Sequence, residues 1–311
     1  MDLVSRSSLE SLLASVAGSA PDPRAGIFGP ASITWRINRE SAVFLGAGRA
    51  ALLQIAHPWV AAALSQHSTV LRDPIARFHN TFRIVYTMIY GSVPQALAAS
   101  RHLHTLHTRI QGEMHEPVGR WPRGAHYEAN EIAALRWVYA TLVESAILAL
   151  ELVLPLTESD RNQYFQESKT LAALVGIPSF ALPPDWPAFR EYCRETMESD
   201  ILGVDPAARA MGQAVLRGAG SWIRPPRWYR ALTAEWLPPR LRSQFGFTSD
   251  EASAACARRW LPRLYPLLPP SLRFVGPYRE AQARLHNRPA GVLIRGSNRF
   301  WIGQPTLPFA R

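Results

Sequence analysis

The 311-residue chain is poor in cysteine, in lysine and in long uncharged apolar runs. Only Cys193 and Cys256 occur, with no CxxC pair and no metal-ligand spacing, which argues against a disulfide framework and against a zinc site. Lys169 is the only lysine, so the basic charge is almost all arginine. No stretch reaches the roughly 18 uncharged apolar residues of a membrane-crossing helix; in the nearest, Ala140 to Leu150, Glu144 interrupts the run and Glu151 and Pro155 end it. Internal repeats, low-complexity tracts and long alternating β-branched runs are missing too, which excludes solenoids and any sheet of size.

What remains is an ordinary globular composition, 47% hydrophobic and 19% charged, in a chain long enough to bury a sizeable core. The net charge of +10 raises a nucleic-acid or membrane role. The arginines are scattered, however, with no run of five and no finger spacing, so no nucleic-acid partner is expected. The first 20 residues read as a short amphipathic helix rather than a secretory signal, because Ser, Glu and Arg break the apolar run. Together these points lead to the expectation of a cytoplasmic protein, with peripheral membrane contact left open.

Helix signals dominate. Apolar residues at helical spacing fill 38–66. Asp73-Pro74 opens a helix over 74–90, and Pro94 opens one that Gly112 stops. Asn130 caps a helix to about Val153; Thr157 and Asp160 open another to Val175; Asp185 starts one to about Ser199. Pro206–Leu216 and Ser249–Leu267 follow. The expected class is all-α with ten to twelve helices: an N-terminal extension (1–25), one helical domain (26–285) and an irregular tail (286–311). The Pro-, Trp- and Arg-rich segment 217–248 reads as a surface excursion. Gly46-Ala47-Gly48 imitates half a dinucleotide fingerprint but lacks the preceding strand and the βαβ unit, so it reads as close helix packing.

Six of the nine histidines lie between 57 and 107. His57 precedes Pro58 and sits at a helix break, where a structural hydrogen bond is the plain reading. His67 ends the same apolar segment and can cap it or face a pocket. His79 points away from Arg77 and Thr81, and His102 and His115 read as exposed. His107 shares a stripe with Ser100, Leu103 and Ile110, so it is either a satisfied core histidine or a neutral imidazole of the kind a haem iron needs. His104, one turn earlier, can flank the same face or join His107 as a metal pair. Arg77, Asn80 and Thr81 lie three and four apart on one helix face. They make either a buried ion pair, with Glu144 as partner, or an anchor for a carboxylate-bearing cofactor beside a hydroxyl donor.

Taken in order, GIFGPASITWRINRE (26–40), LGAGRAALLQIAHPWVAAALSQHS (45–68), DPIARFHNT (73–81), LHTRIQG (106–112), YEANEIAALRWVYATLVES (127–145), LVGIPSFALPPDWPAFREYCRETMES (174–199) and LPPRLRSQFGF (237–247) resemble the family of the fungal oxygenase MpaB and the rubber oxygenase called latex clearing protein. The resemblance spans about residues 26–280. It implies a globin-like helical domain around haem b, with His107 as the proximal iron ligand. It also implies a distal R-x-x-K-T run, matched here by Arg77 to Thr81 with Asn80 in place of the lysine; Lys169 cannot fill that place in register. No glutamate stands in register with the family's distal one.

The mechanism implied is O2 activation on haem iron held by His107, with His104 beside it. Arg77 would hold a propionate or polarise oxygen, Thr81 and Asn80 would donate hydrogen bonds, and His67 would be the proton donor or base. The substrate implied is hydrophobic, an isoprenoid or other alkene; the electron donor is unspecified. The other function classes are a haem-binding sensor or carrier without turnover, and a haem-free helical interaction protein.

Overall fold

Side-chain caps decide where most of the helices begin. The computed structural model describes residues 2–20, 22–67, 74–218 and 224–309, apart from the side chains of residues 74, 75 and 77. In chain order its elements are α1 (Arg6–Gly18), α2 (Ile33–Asn38), α3 (Ala47–Ile55), α4 (Pro58–His67), α5 (Pro74–Tyr90), α6 (Val93–His107), the strands β1 (Gln111–Glu113) and β2 (His126–Glu128), α7 (Ile132–Glu151), α8 (Glu158–Leu174), α9 (Trp186–Glu198), α10 (Pro206–Arg217), α11 (Arg227–Glu235), α12 (Pro239–Phe245), α13 (Glu251–Leu264), α14 (Pro270–Arg273), α15 (Gly276–Leu285) and α16 (Val292–Ile302). The class is all-α, as expected, but with sixteen α-helices among the described residues in place of ten to twelve.

Thr157 and Asp160 form a reciprocal capping box at α8, and Ser92 and Gln95 form one at α6. Asp185 and Asp205 accept from backbone N–H groups at the starts of α9 and α10. Asp73, the expected cap of α5, lies outside the described residues. Glu131, not Asn130, caps α7 by accepting from the Ala134 amide at 2.7 Å.

The structure departs from the sequence reading in four places. The segment 38–66 breaks at His57-Pro58 into α3 and α4, as expected, but opens with a 3-10 turn, Ser41–Gly46, in place of α-helix. α6 ends at His107, five residues before Gly112, because Gln111–Glu113 pairs antiparallel with His126–Glu128. The segment 217–248 is no surface excursion where it is described; it supplies α11 and α12, whose Leu232, Leu241 and Phe245 are fully buried. The tail 286–311 carries α16, because Trp301 stacks on Phe44 (4.1 Å between ring centres) and Ile302 and Leu307 are buried.

α7 is the core helix. By length and composition it could cross a membrane, but Trp137, Val143, Ile147 and Leu150 are buried within the protein. Its polar groups are also satisfied internally. Trp137 Nε1 donates to Leu53 O at 2.9 Å, and the Tyr139 hydroxyl pairs with Ser168 Oγ at 2.6 Å.

Gly46 and Gly48 allow the close approach that their spacing suggested. A Cβ on Gly46 would stand 2.3 Å from the Ser145 carbonyl oxygen of α7, and one on Gly48 would stand 3.0 Å from the Thr233 side chain. Backbone cannot yield as a side-chain tip can, so Gly46→Ala is expected to destabilise the fold by about 3 kcal/mol, the upper end for overpacking. Urea unfolding measures this, and a loss below about 1 kcal/mol would mean that α3 and α7 are not tightly apposed there.

Candidate functional site

The expected site residues are carried by three helices, α4, α5 and α6. α5 and α6 are packed against each other and joined only by Gly91 and Ser92. They therefore run antiparallel, and the first turns of α5 (Arg77 to Thr81) lie at the level of the last turns of α6 (Leu103 to His107). The end of α4 is sewn to the hairpin that follows α6. Gln66 Nε2 donates to Glu113 O at 3.0 Å, the Tyr127 hydroxyl donates to Gln66 Oε1 at 2.9 Å, and His67 Nε2 lies 3.0 Å from Gln111 O.

A carbonyl oxygen only accepts, so the proton of neutral His67 sits on Nε2. Its Nδ1 is then the basic nitrogen. His67 is exposed.

His107 is half-buried as the last residue of α6. Asn80 is exposed and Thr81 half-buried. The backbone of Arg77 lies in α5, but its side chain lies outside the described residues. His104 goes elsewhere: its Nε2 donates to the Val4 carbonyl at 3.0 Å, so it ties the N-terminal segment to α6. That bond commits the Nε2 of His104 and leaves its Nδ1 as the remaining acceptor nitrogen. Among the described residues, no three His, Cys, Asp or Glu side chains converge on a metal-binding position. His79 turns to α16, with Nε2 3.0 Å from Phe300 O, and His102 and His115 are exposed, all as expected.

The first half of α5 is apolar yet only half-buried, at Phe78, Phe82, Ile84 and Val85. Phe44 covers part of it, 4.6 Å from Phe82 and 5.4 Å from Phe78 between ring centres. A cavity of about 480 Å³ lies elsewhere, between α10, α11 and the start of α13, with Leu216, Arg227, Arg230, Phe247 and Asp250 in its wall. None of the expected site residues lines it.

Two buried polar residues stand out that the sequence reading placed differently or passed over. Glu144 pairs with Arg49; the Arg77 side chain, its expected partner, lies outside the described residues. The Arg49 guanidinium meets Glu144 Oε2 at 2.7 Å, Ser145 Oγ at 2.9 Å and Trp236 O at 3.0 Å. An arginine set in the Ala- and Leu-rich run of α3 was the available signal, since such a charge demands a partner.

His57 is the other. It is 4% exposed, its Nδ1 has no hydrogen-bond partner, and Trp59 Nε1 beside it has none either. The ring does not hydrogen-bond the helix break through Nδ1, as expected from its place before Pro58. Burial, and then the nearby positive Arg120, push its pKa from 6.5 to about 4.

The consequence for stability has a definite sign. Above pH 6.5 the ring is neutral both folded and unfolded. Between 6.5 and 4 the unfolded chain takes up a proton that the folded one refuses, so stability falls as the pH drops. The full loss is about 3 kcal/mol. Urea midpoints across this range should fall more steeply for wild type than for His57→Leu; parallel slopes would contradict the buried neutral ring.

Free thiols offer no nucleophile in the core: Cys193 is buried, and burial pushes its pKa up, away from the reactive thiolate.

The family model described as "ER-bound oxygenase mpaB/B'/Rubber oxygenase, catalytic domain" matches residues 34–266. The chain belongs to this oxygenase family. It is therefore an enzyme of the oxidoreductase kind, and the match takes in α3 to α7, including every expected site residue. No curated protein and no solved structure matches the chain. Within the matched region His67 lies on α4, Asn80 and Thr81 on α5, and His104 and His107 on α6.

Proposed function

We propose that the protein is a haem-b-dependent oxygenase for a hydrophobic substrate of the alkene or isoprenoid type, with His107 as the axial ligand of the iron. The observation that carries this reading is the family match over residues 34–266. The donor set fits the cofactor. A haem iron takes most of its ligands from the porphyrin, so one imidazole from the protein, that of His107, would suffice to hold it. The half-buried apolar face of α5 suits a flat, apolar macrocycle.

When bound, haem supplies the redox chemistry that activates O2. The chain's own groups do the rest. Arg77 would pair with a propionate, for which a planar, permanently charged guanidinium is well matched. Thr81 and Asn80 would donate hydrogen bonds to what the cofactor binds. His67 accepts a proton at Nδ1 while Gln111 O holds its Nε2–H in place. His104 stays outside the site, bound to Val4 O.

Oxygen uptake tests turnover. Protein loaded with hemin and given a reductant should consume O2 only when an isoprenoid alkene such as squalene is added. Haem-loaded protein that consumes none with any alkene would leave a haem carrier or sensor in place of the substrate reading.

A further inference from the structure

Between α13 and α15 the chain forms a proline-studded knuckle, and both its feet are clamped to one buried carboxylate. Glu40 is 2% exposed. The Tyr265 hydroxyl donates to Glu40 Oε2 at 3.0 Å and accepts from the Ala42 amide at 3.1 Å. Arg273 donates to both oxygens of Glu40, at 2.6 and 3.1 Å. Beyond it, the Val275 amide donates to Arg39 O at 2.9 Å, and the Arg39 guanidinium lies over the Phe274 ring.

Between these anchors Leu267 (77% exposed), Leu268 (37%) and Leu272 (65%) are left in water, as is Leu264 (53%) just before Tyr265. Pro266, Pro269 and Pro270 stiffen the turn. A knuckle held this firmly cannot turn its leucines inward. Four of them within nine residues form a patch, unlike singly scattered surface leucines.

The charge around the patch identifies what it meets. From Ala252 to Arg279 there is no acidic residue, but there are five arginines: Arg258, Arg259, Arg263, Arg273 and Arg279. Arg258 is paired with Glu235 and Arg273 with Glu40. Arg259 and Arg263 are exposed and in no ion pair among the described residues. A second copy docked patch to patch would bring like charges together. Apolar side chains beside unpaired arginines complement a surface that is anionic outside and apolar beneath.

We propose that this knuckle docks on an anionic lipid bilayer, its leucines entering the acyl boundary and Arg259 and Arg263 meeting the headgroups. It does so independently of the reaction the protein catalyses.

Co-sedimentation of the whole protein with vesicles tests this. Wild type should pellet with phosphatidylglycerol–phosphatidylcholine vesicles, less so with phosphatidylcholine alone, and less so in high salt. Leu267→Ser combined with Leu272→Ser should weaken binding by at least about tenfold, with circular dichroism checking that the helices persist. Arg259→Glu with Arg263→Glu should reduce binding to the phosphatidylcholine level. Phe180→Ser, which removes an exposed apolar side chain outside the knuckle, should change nothing.

Wild type remaining in the supernatant would overturn the proposal, as would both double variants binding like wild type. A wild-type dimer in sedimentation velocity that the leucine variant dissociates, without vesicle binding, would overturn it in favour of a second copy.

Discussion

Glu144→Ala is expected to cost about 3–5 kcal/mol of stability, the range for breaking one side of a buried ion pair. The Arg49 side chain is 5% exposed and that of Glu144 16%. Removing the carboxylate leaves a guanidinium in the core with only neutral partners, Ser145 Oγ and Trp236 O, and the thioether of Met197. The packing of α3 against α7 keeps the guanidinium itself largely out of water. A buried cation without its counter-ion is among the few point changes with so large an effect.

The paired replacement Arg49→Met with Glu144→Leu should behave otherwise. It removes both charges and their desolvation, and the apolar side chains fill similar volume. It leaves Ser145 and the Trp236 carbonyl each short of a partner, at about 1 kcal/mol apiece. The double variant is therefore expected within about 2 kcal/mol of wild type, well above Glu144→Ala. Urea unfolding of the three proteins reads this directly. Equal losses in Glu144→Ala and the double variant would show that the pair contributes through shape rather than charge.

His107→Ala is expected to lower haem affinity by more than about 100-fold. Loss of a group that merely orients a metal ligand already costs about 10–100-fold, and His107 is proposed as the ligand itself. His104→Ala is the matched control. It removes an imidazole one turn away, but one whose Nε2–H is committed to Val4 O. Its cost should be about 1 kcal/mol of stability from a lost hydrogen bond, with haem retained.

Much of the fold could be read from local signals. α5, α8 and α9 are found where Pro74, the Thr157–Asp160 box and Asp185 place them, because a cap or an N-terminal proline acts within one turn. The hairpin at 111–128 was missed because its strands are three residues long and have no alternating pattern. α16 was missed because its reason for being ordered is distant: Phe44 stacks on Trp301, and Glu280 accepts from the Leu307 amide at 3.0 and 3.1 Å.

The site was legible only in part. Spacing put Arg77, Asn80 and Thr81 on one face of α5, and the antiparallel α6 brings His107 to the same end. Periodicity could not separate His104 from His107, since residues three apart share a face; the Val4 carbonyl separates them. Nor could it pick out Arg49 as a partner of Glu144, because only tertiary packing brings that arginine of α3 to α7.

The most direct measurement is the absorption spectrum of the purified protein after hemin addition, with a pyridine haemochrome assay, for wild type beside His107→Ala. Wild type is expected to show a Soret band and a b-type haemochrome at one haem per chain, with the band lost or shifted in the variant and restored towards wild type by added imidazole. A wild type that stays colourless in excess hemin would contradict haem dependence altogether. A variant with an unchanged spectrum would contradict His107 as the ligand.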